Sequence, residues 1–101
     1  MSWEEYTKQL DRYSVPQEGR DLIKQAFLFA HQGHENQTRF SGEPYINHTI
    51  AVSLKVAALH LNAAGIAAAL LHDIVEDDRA PLKTIRKKFG PEVALLVNGL
   101  T

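Results

Sequence analysis

Residues 63–77, AAGIAAALLHDIVED, constrain the fold more than any other stretch of the chain. They form its most apolar segment with helical character, and the ionisable side chains are held back to its end. Gly65 and the run of alanines present small side chains that let neighbouring backbones come close, although Gly costs up to about 1 kcal/mol of helix stability. Asn62 is a suitable N-cap for this helix.

The remaining segments read as helices too. Ser2 and Glu5 have the S-x-x-E spacing of a capping box, and Trp3, Tyr6, Leu10 and Tyr13 follow at helical intervals, predicting a short first helix that Ser14-Val15-Pro16 interrupts. From Gln17 to His34 the apolar residues Leu22, Ile23, Ala26, Phe27, Phe29 and Ala30 recur at three- and four-residue steps, predicting a second helix with one buried stripe. Residues 35–47, ENQTRFSGEPYIN, carry Gly, Pro, Ser and Asn without usable periodicity and read as an ordered loop, the kind of segment that often holds ligand contacts. Asn47 is the expected N-cap of a third helix through His48, Ala51, Val52, Leu54, Val56 and Leu59. Pro81 opens a fifth helix, PLKTIRKKF, whose basic residues sit in the last turn and which Gly90 ends. Pro91 starts a sixth, PEVALLVNGL. No segment shows the two-residue alternation of a half-buried strand and there is no internal repeat, so the expected fold is all-α with about six helices.

The 101 residues, 45% hydrophobic and 23% charged with a formal net charge of -1, suit one globular domain and argue against disorder. The chain has no cysteine, which removes disulfides, thiolate metal sites and a cysteine nucleophile. Together with the absence of an apolar run near the roughly 20 residues of a membrane span, this makes a cytoplasmic protein without membrane contacts the expectation. Eleven basic residues against twelve acidic ones give no surplus positive charge for gripping DNA.

The densest polar cluster is His72-Asp73-Ile74-Val75-Glu76-Asp77. On a helix His72, Asp73, Glu76 and Asp77 fall within an arc of about 140°. Three carboxylates and an imidazole so close together repel or shift one another unless something positive sits among them, and a divalent cation is the simplest candidate. Imidazole with carboxylate oxygen suits Mn, Fe or Zn, and a second His from another helix, such as His48, would improve the site. The bland alternative is an ordinary partly buried histidine beside a solvated acidic helix end. Against it stands the helix dipole, which disfavours negative charge at a C-terminus.

The runs FAHQGHENQTRFSGEPYINH (29–48), AAALLHDIVED (67–77) and IRKKFGPEVALLVNGLT (85–101) resemble, in order and spacing, the metal-dependent HD domain of the RelA/SpoT family, the enzymes of the alarmone (p)ppGpp. The resemblance implies an HD-type helical bundle that binds Mn²⁺. It implies His48, His72 and Asp73 as metal ligands, Glu76 and Asp77 as the pair that handles the hydrolytic water, and Arg39 as a nucleotide contact. Phe40, where hydrolases of the family are usually basic, and Ser41 belong to the same substrate-binding loop, which Gly42 and Tyr45 also shape. His34 coincides with a His common in the family but is assigned a structural role. His31 and His60 are read as packing or surface residues. The resemblance further implies that residues 1–101 are the N-terminal part of a larger helical domain, with a remaining metal-binding Asp beyond Thr101.

The function it implies is hydrolysis of the 3′-diphosphate of (p)ppGpp to GDP or GTP and pyrophosphate, by a stand-alone hydrolase or a bifunctional synthetase/hydrolase. Two alternatives stand beside it. One is an HD phosphohydrolase acting on another nucleotide, which Phe40 motivates. The other is a non-catalytic helical module that binds a nucleotide or a partner. Self-association is also expected if the faces of the fifth and sixth helices are uncovered.

Overall fold

The computed structural model describes residues 1–100; Thr101, which closes the third motif run, lies outside the described residues. Among the described residues there are six helices: α1 (Trp3–Arg12), α2 (Arg20–Gly33), α3 (Tyr45–Ala58), α4 (Ala63–Glu76), α5 (Leu82–Phe89) and α6 (Pro91–Leu100). The only extended pairing among them is an isolated antiparallel bridge between Thr38 and Pro44. The all-α expectation is met.

The apolar segment is the hub. α4 packs against α2, α3 and α6, and α5 against α6. Ile66, Ala67, Leu70, Leu71 and Ile74 are fully buried, and each of the large side chains contributes roughly 1.5–3 kcal/mol by leaving water. The small residues act as anticipated, since Ala64, Ala67, Ala68 and Ala69 are all buried within this crowded helix. Asn62 accepts a hydrogen bond from Gly65 N at 3.0 Å, as an N-cap should. Where α2 ends, it packs on the Ile74 side chain of α4 without room for a Cβ: one at Gly33 would overlap Ile74 Cδ1.

At the other end of the molecule Trp3, Tyr6 and Phe27 pack ring on ring. The Ser2 capping box forms with Glu5, as its spacing predicts. Ser53 donates to Ile50 O and accepts from the Tyr6 hydroxyl at 2.8 Å. Burial pushes the Tyr6 phenol up to about 12. Arg20, almost fully buried, ties the α1–α2 corner by donating to Asp11, Thr7 and Val15 O.

Three helix starts differ from expectation. α2 begins at Arg20, because Gly19 takes φ +86 and cannot be helical. α5 begins at Leu82 with Pro81 as its N-cap in an extended conformation. The third correction bears on the site. α3 begins at Tyr45 with Pro44 at the N-cap, and Asn47 is a first-turn helical residue that caps nothing. The loop supplies the reason: Arg39 N donates to Glu43 O, Gly42 N to Arg39 O and Tyr45 N back to Gln37 O, so the hairpin closes on Pro44 and feeds directly into the helix.

Candidate metal centre

Asp73 is the unusual residue of α4, a carboxylate only 6% exposed in an apolar helix. Burying such a group costs several kcal/mol unless something compensates it. One of its oxygens, Oδ1, lies 3.2 Å from His72 Nε2, and the other, Oδ2, is buried without a hydrogen-bond partner. His72 Nδ1 lies 2.8 Å from Ala69 O, a carbonyl that can only accept, so Nδ1 carries a ring hydrogen and Nε2 is the nitrogen that faces Asp73. An imidazole nitrogen and a carboxylate therefore meet beside an unsatisfied buried oxygen. A cation held by these groups would satisfy that oxygen.

Glu76, one turn further along and exposed, completes the group, since one ligand atom each from His72, Asp73 and Glu76 lies within 4.8 Å of the others. One imidazole nitrogen and two carboxylate oxygens suit a divalent transition ion, and the Nδ1 bond to a backbone carbonyl is the outer contact that usually orients a metal-bound histidine. The residues present fit a divalent cation.

The other predicted residues are distributed round this group. Asp77 is the exposed C-cap of α4, and Gln37 donates to its Oδ2 at 3.2 Å. His48, half-buried in the first turn of α3, is outside the compact group. Its ring meets Tyr45 edge to face at 5.6 Å. Tyr45 is the link between α3 and α4, its phenol pushed up to about 12 by burial and by the charges of Asp73 and Asp77. Arg39, Phe40 and Ser41 sit together at the exposed tip of the 38–44 hairpin, with Phe40 fully in solvent and Ser41 accepting from Glu43 N at 3.4 Å. Their side chains are not brought into the His72 group.

Of the histidines read as bystanders, His31 packs on Phe27 and burial holds its pKa below the usual value. His60 takes a positive φ just past the end of α3. His34 is 2% exposed, bonded to Gln37 and stacked on Tyr45. Gln37 was not marked by any sequence signal, because its partner lies 40 positions away and the segment between has no single period. Tyr45 was marked only as a loop residue.

Comparison with known proteins places the chain in a family. Residues 26–101 match the family described as HD domain. The chain is 41% identical over 97 residues to the GTP pyrophosphokinase rsh of Brucella melitensis, covering 96% of this chain and 13% of that protein. It shows the same identity, over 96% of its own length and 14% of theirs, to the bifunctional (p)ppGpp synthase/hydrolase SpoT of Escherichia coli and to a guanosine-3′,5′-bis(diphosphate) 3′-pyrophosphohydrolase of Shigella flexneri. The chain thus spans about one seventh of the length of these relatives, and the expected likeness to RelA/SpoT proteins is borne out.

Proposed function

Because the chain belongs to the HD-domain family, we propose that it is the hydrolase module of a RelA/SpoT-type enzyme, cleaving the 3′-diphosphate of (p)ppGpp to GDP or GTP and pyrophosphate with Mn²⁺ as its ion. The observation that carries the reading is the unpaired, buried Asp73 Oδ2 beside a His72 whose Nε2 faces the same carboxylate. In this reading His72 and Asp73 hold the ion with His48, which stands outside the compact group on the first turn of α3, as the third ligand, and Glu76 is left to the water. The chemistry supplied by such an ion is Lewis-acid polarisation of a phosphate oxygen and a lowered pKa for bound water.

The chain's own residues do the rest. Glu76, exposed at the end of α4, accepts the proton of the attacking water. The water oxygen bonds to the phosphorus attached to O3′, the P–O3′ bond breaks, and the ribose oxygen leaves as a hydroxyl after taking up a proton. Asp77, oriented by Gln37, steers the water. Arg39 pairs with substrate phosphate as a bidentate donor, Phe40 offers a solvent-facing ring for a purine, and the Ser41 hydroxyl adds a hydrogen bond at the same hairpin tip.

The test is pyrophosphate release with Mn²⁺ supplied, measured on ppGpp and on unrelated nucleotides. The expected result is fastest turnover of ppGpp, lost in His72→Ala. Faster cleavage of another nucleotide would remove the alarmone from the assignment and leave the phosphohydrolase. If the protein binds no Mn²⁺ and His72→Ala changes nothing, the helical module is non-catalytic.

A further inference from the structure

We infer that His34 and Gln37 are positioning residues for Asp77, a two-bond relay from the end of α2 that holds the Asp77 carboxylate in one orientation beside the metal group. The role of Asp77 rests on the phosphohydrolase reading; the relay rests on geometry. His34 Nδ1 lies 2.7 Å from Gln37 Oε1, and Gln37 Nε2 lies 3.2 Å from Asp77 Oδ2. A carboxylate can only accept, so the amide nitrogen is the end of Gln37 that faces it. The amide oxygen is left for His34, which must donate from Nδ1. Each bond thus sets the direction of the other, and turning the amide over would set an oxygen against a carboxylate.

The anchored end is rigid. The His34 ring is 2% exposed and stacked on Tyr45, with centroids 4.8 Å apart and planes inclined by 32°. Its backbone follows Gly33, which has no room for a side chain against Ile74 and whose carbonyl accepts from Arg79 Nη1 at 3.0 Å. Ile74 and Arg79 flank Asp77 in the chain, so the anchor is fastened to the same helix end that it serves. Asp77 itself is exposed. An exposed carboxylate left to itself samples several rotamers, and holding it in one is a contribution to rate made through orientation.

Three substitutions separate a positioning role from a structural one. His34→Phe keeps an aromatic ring against Tyr45 and removes the donor. Gln37→Leu keeps the approximate shape and removes both amide groups. His34→Asn discards the ring but places an amide donor where Nδ1 was. With Mn²⁺ and ppGpp, kcat is expected to fall about tenfold in His34→Phe and in Gln37→Leu, with KM and Mn²⁺ affinity within about twofold of the parent. The double variant should be no slower than either single one, and His34→Asn should recover part of the loss. Unchanged kcat, losses that multiply in the double variant, or a change in KM alone would overturn the relay.

An independent readout needs no turnover. In the ¹⁵N-labelled protein, the Gln37 side-chain amide signals should move on His34→Phe and again on Asp77→Ala. Signals indifferent to both substitutions would also overturn it. If the parent protein releases no pyrophosphate, the functional reading falls while the amide signals still decide the relay.

Discussion

His72 and Asp73 stand next to each other in the chain and do opposite things to the molecule. The imidazole is anchored by Ala69 O, whereas the carboxylate is buried at a loss. His72→Ala should therefore weaken Mn²⁺ binding on the order of 100-fold or more, read by titration calorimetry, with little change in the metal-free fold. Asp73→Asn should also abolish tight binding, but in the opposite thermodynamic sense. Its amide can donate to His72 Nε2 and carries no charge, so the metal-free protein is expected to gain about 1 kcal/mol in chemical denaturation. Equal or lower stability of Asp73→Asn would count against the reading of Asp73 as a carboxylate buried at a cost. The HD and ED pairs were legible in the sequence because they share one helix face. Gln37 was not, since its contact with Asp77 depends on where a different helix ends.

The elements carry their own strain. A Cβ on Gly33 would strike the Cδ1 methyl of the fully buried Ile74, so Gly33→Ala should cost about 1–3 kcal/mol by overpacking there. Ile74→Val removes the methyl that the new Cβ would strike, so the double variant should recover part of that loss, a coupling that a double-mutant cycle of denaturation midpoints measures. At the end of α4, Asp78 takes φ +57, with its N–H bonded to Val75 O and that of Arg79 bonded to Ile74 O. This is the left-handed helix stop that glycine fills most easily. Asp78→Gly relieves the backbone and removes a negative charge from the negative end of the dipole, so a gain of about 1 kcal/mol is expected in thermal or urea unfolding. The existence and order of these helices followed from periodicity and caps. The starts of α2, α3 and α5 did not, because Gly19, Pro44 and Pro81 place the chain by loop geometry that periodicity does not see.

At the scale of the whole molecule, pH tests the packing. Tyr6 is fully buried with its phenol raised to about 12, against about 10 in an unfolded chain. Between those values the folded state keeps a proton that the unfolded state has lost, so the contribution is complete below pH 10 and is lost as pH rises towards 12. Two units correspond to about 3 kcal/mol, and denaturation from pH 8 to 11.5 should show the decline, flattened in Tyr6→Phe. The apolar face of the molecule lies elsewhere, in a groove of about 310 Å³ between α4 and α6 where Leu61, Leu95 and Leu100 remain exposed. That groove is where the expected self-association would be sought, by sedimentation of the parent and a Leu95→Gln variant. The sequence by itself determined the all-helical class, the identity of the central helix and the cluster on its last turns, because each depends on residues within a few positions of one another. Only the tertiary structure decided which groups face that cluster. His34, Gln37 and Tyr45 reach it through the close seat of Gly33 on Ile74 and the hairpin that starts α3 at Pro44, and such approaches between distant segments are set by packing, not by local pattern.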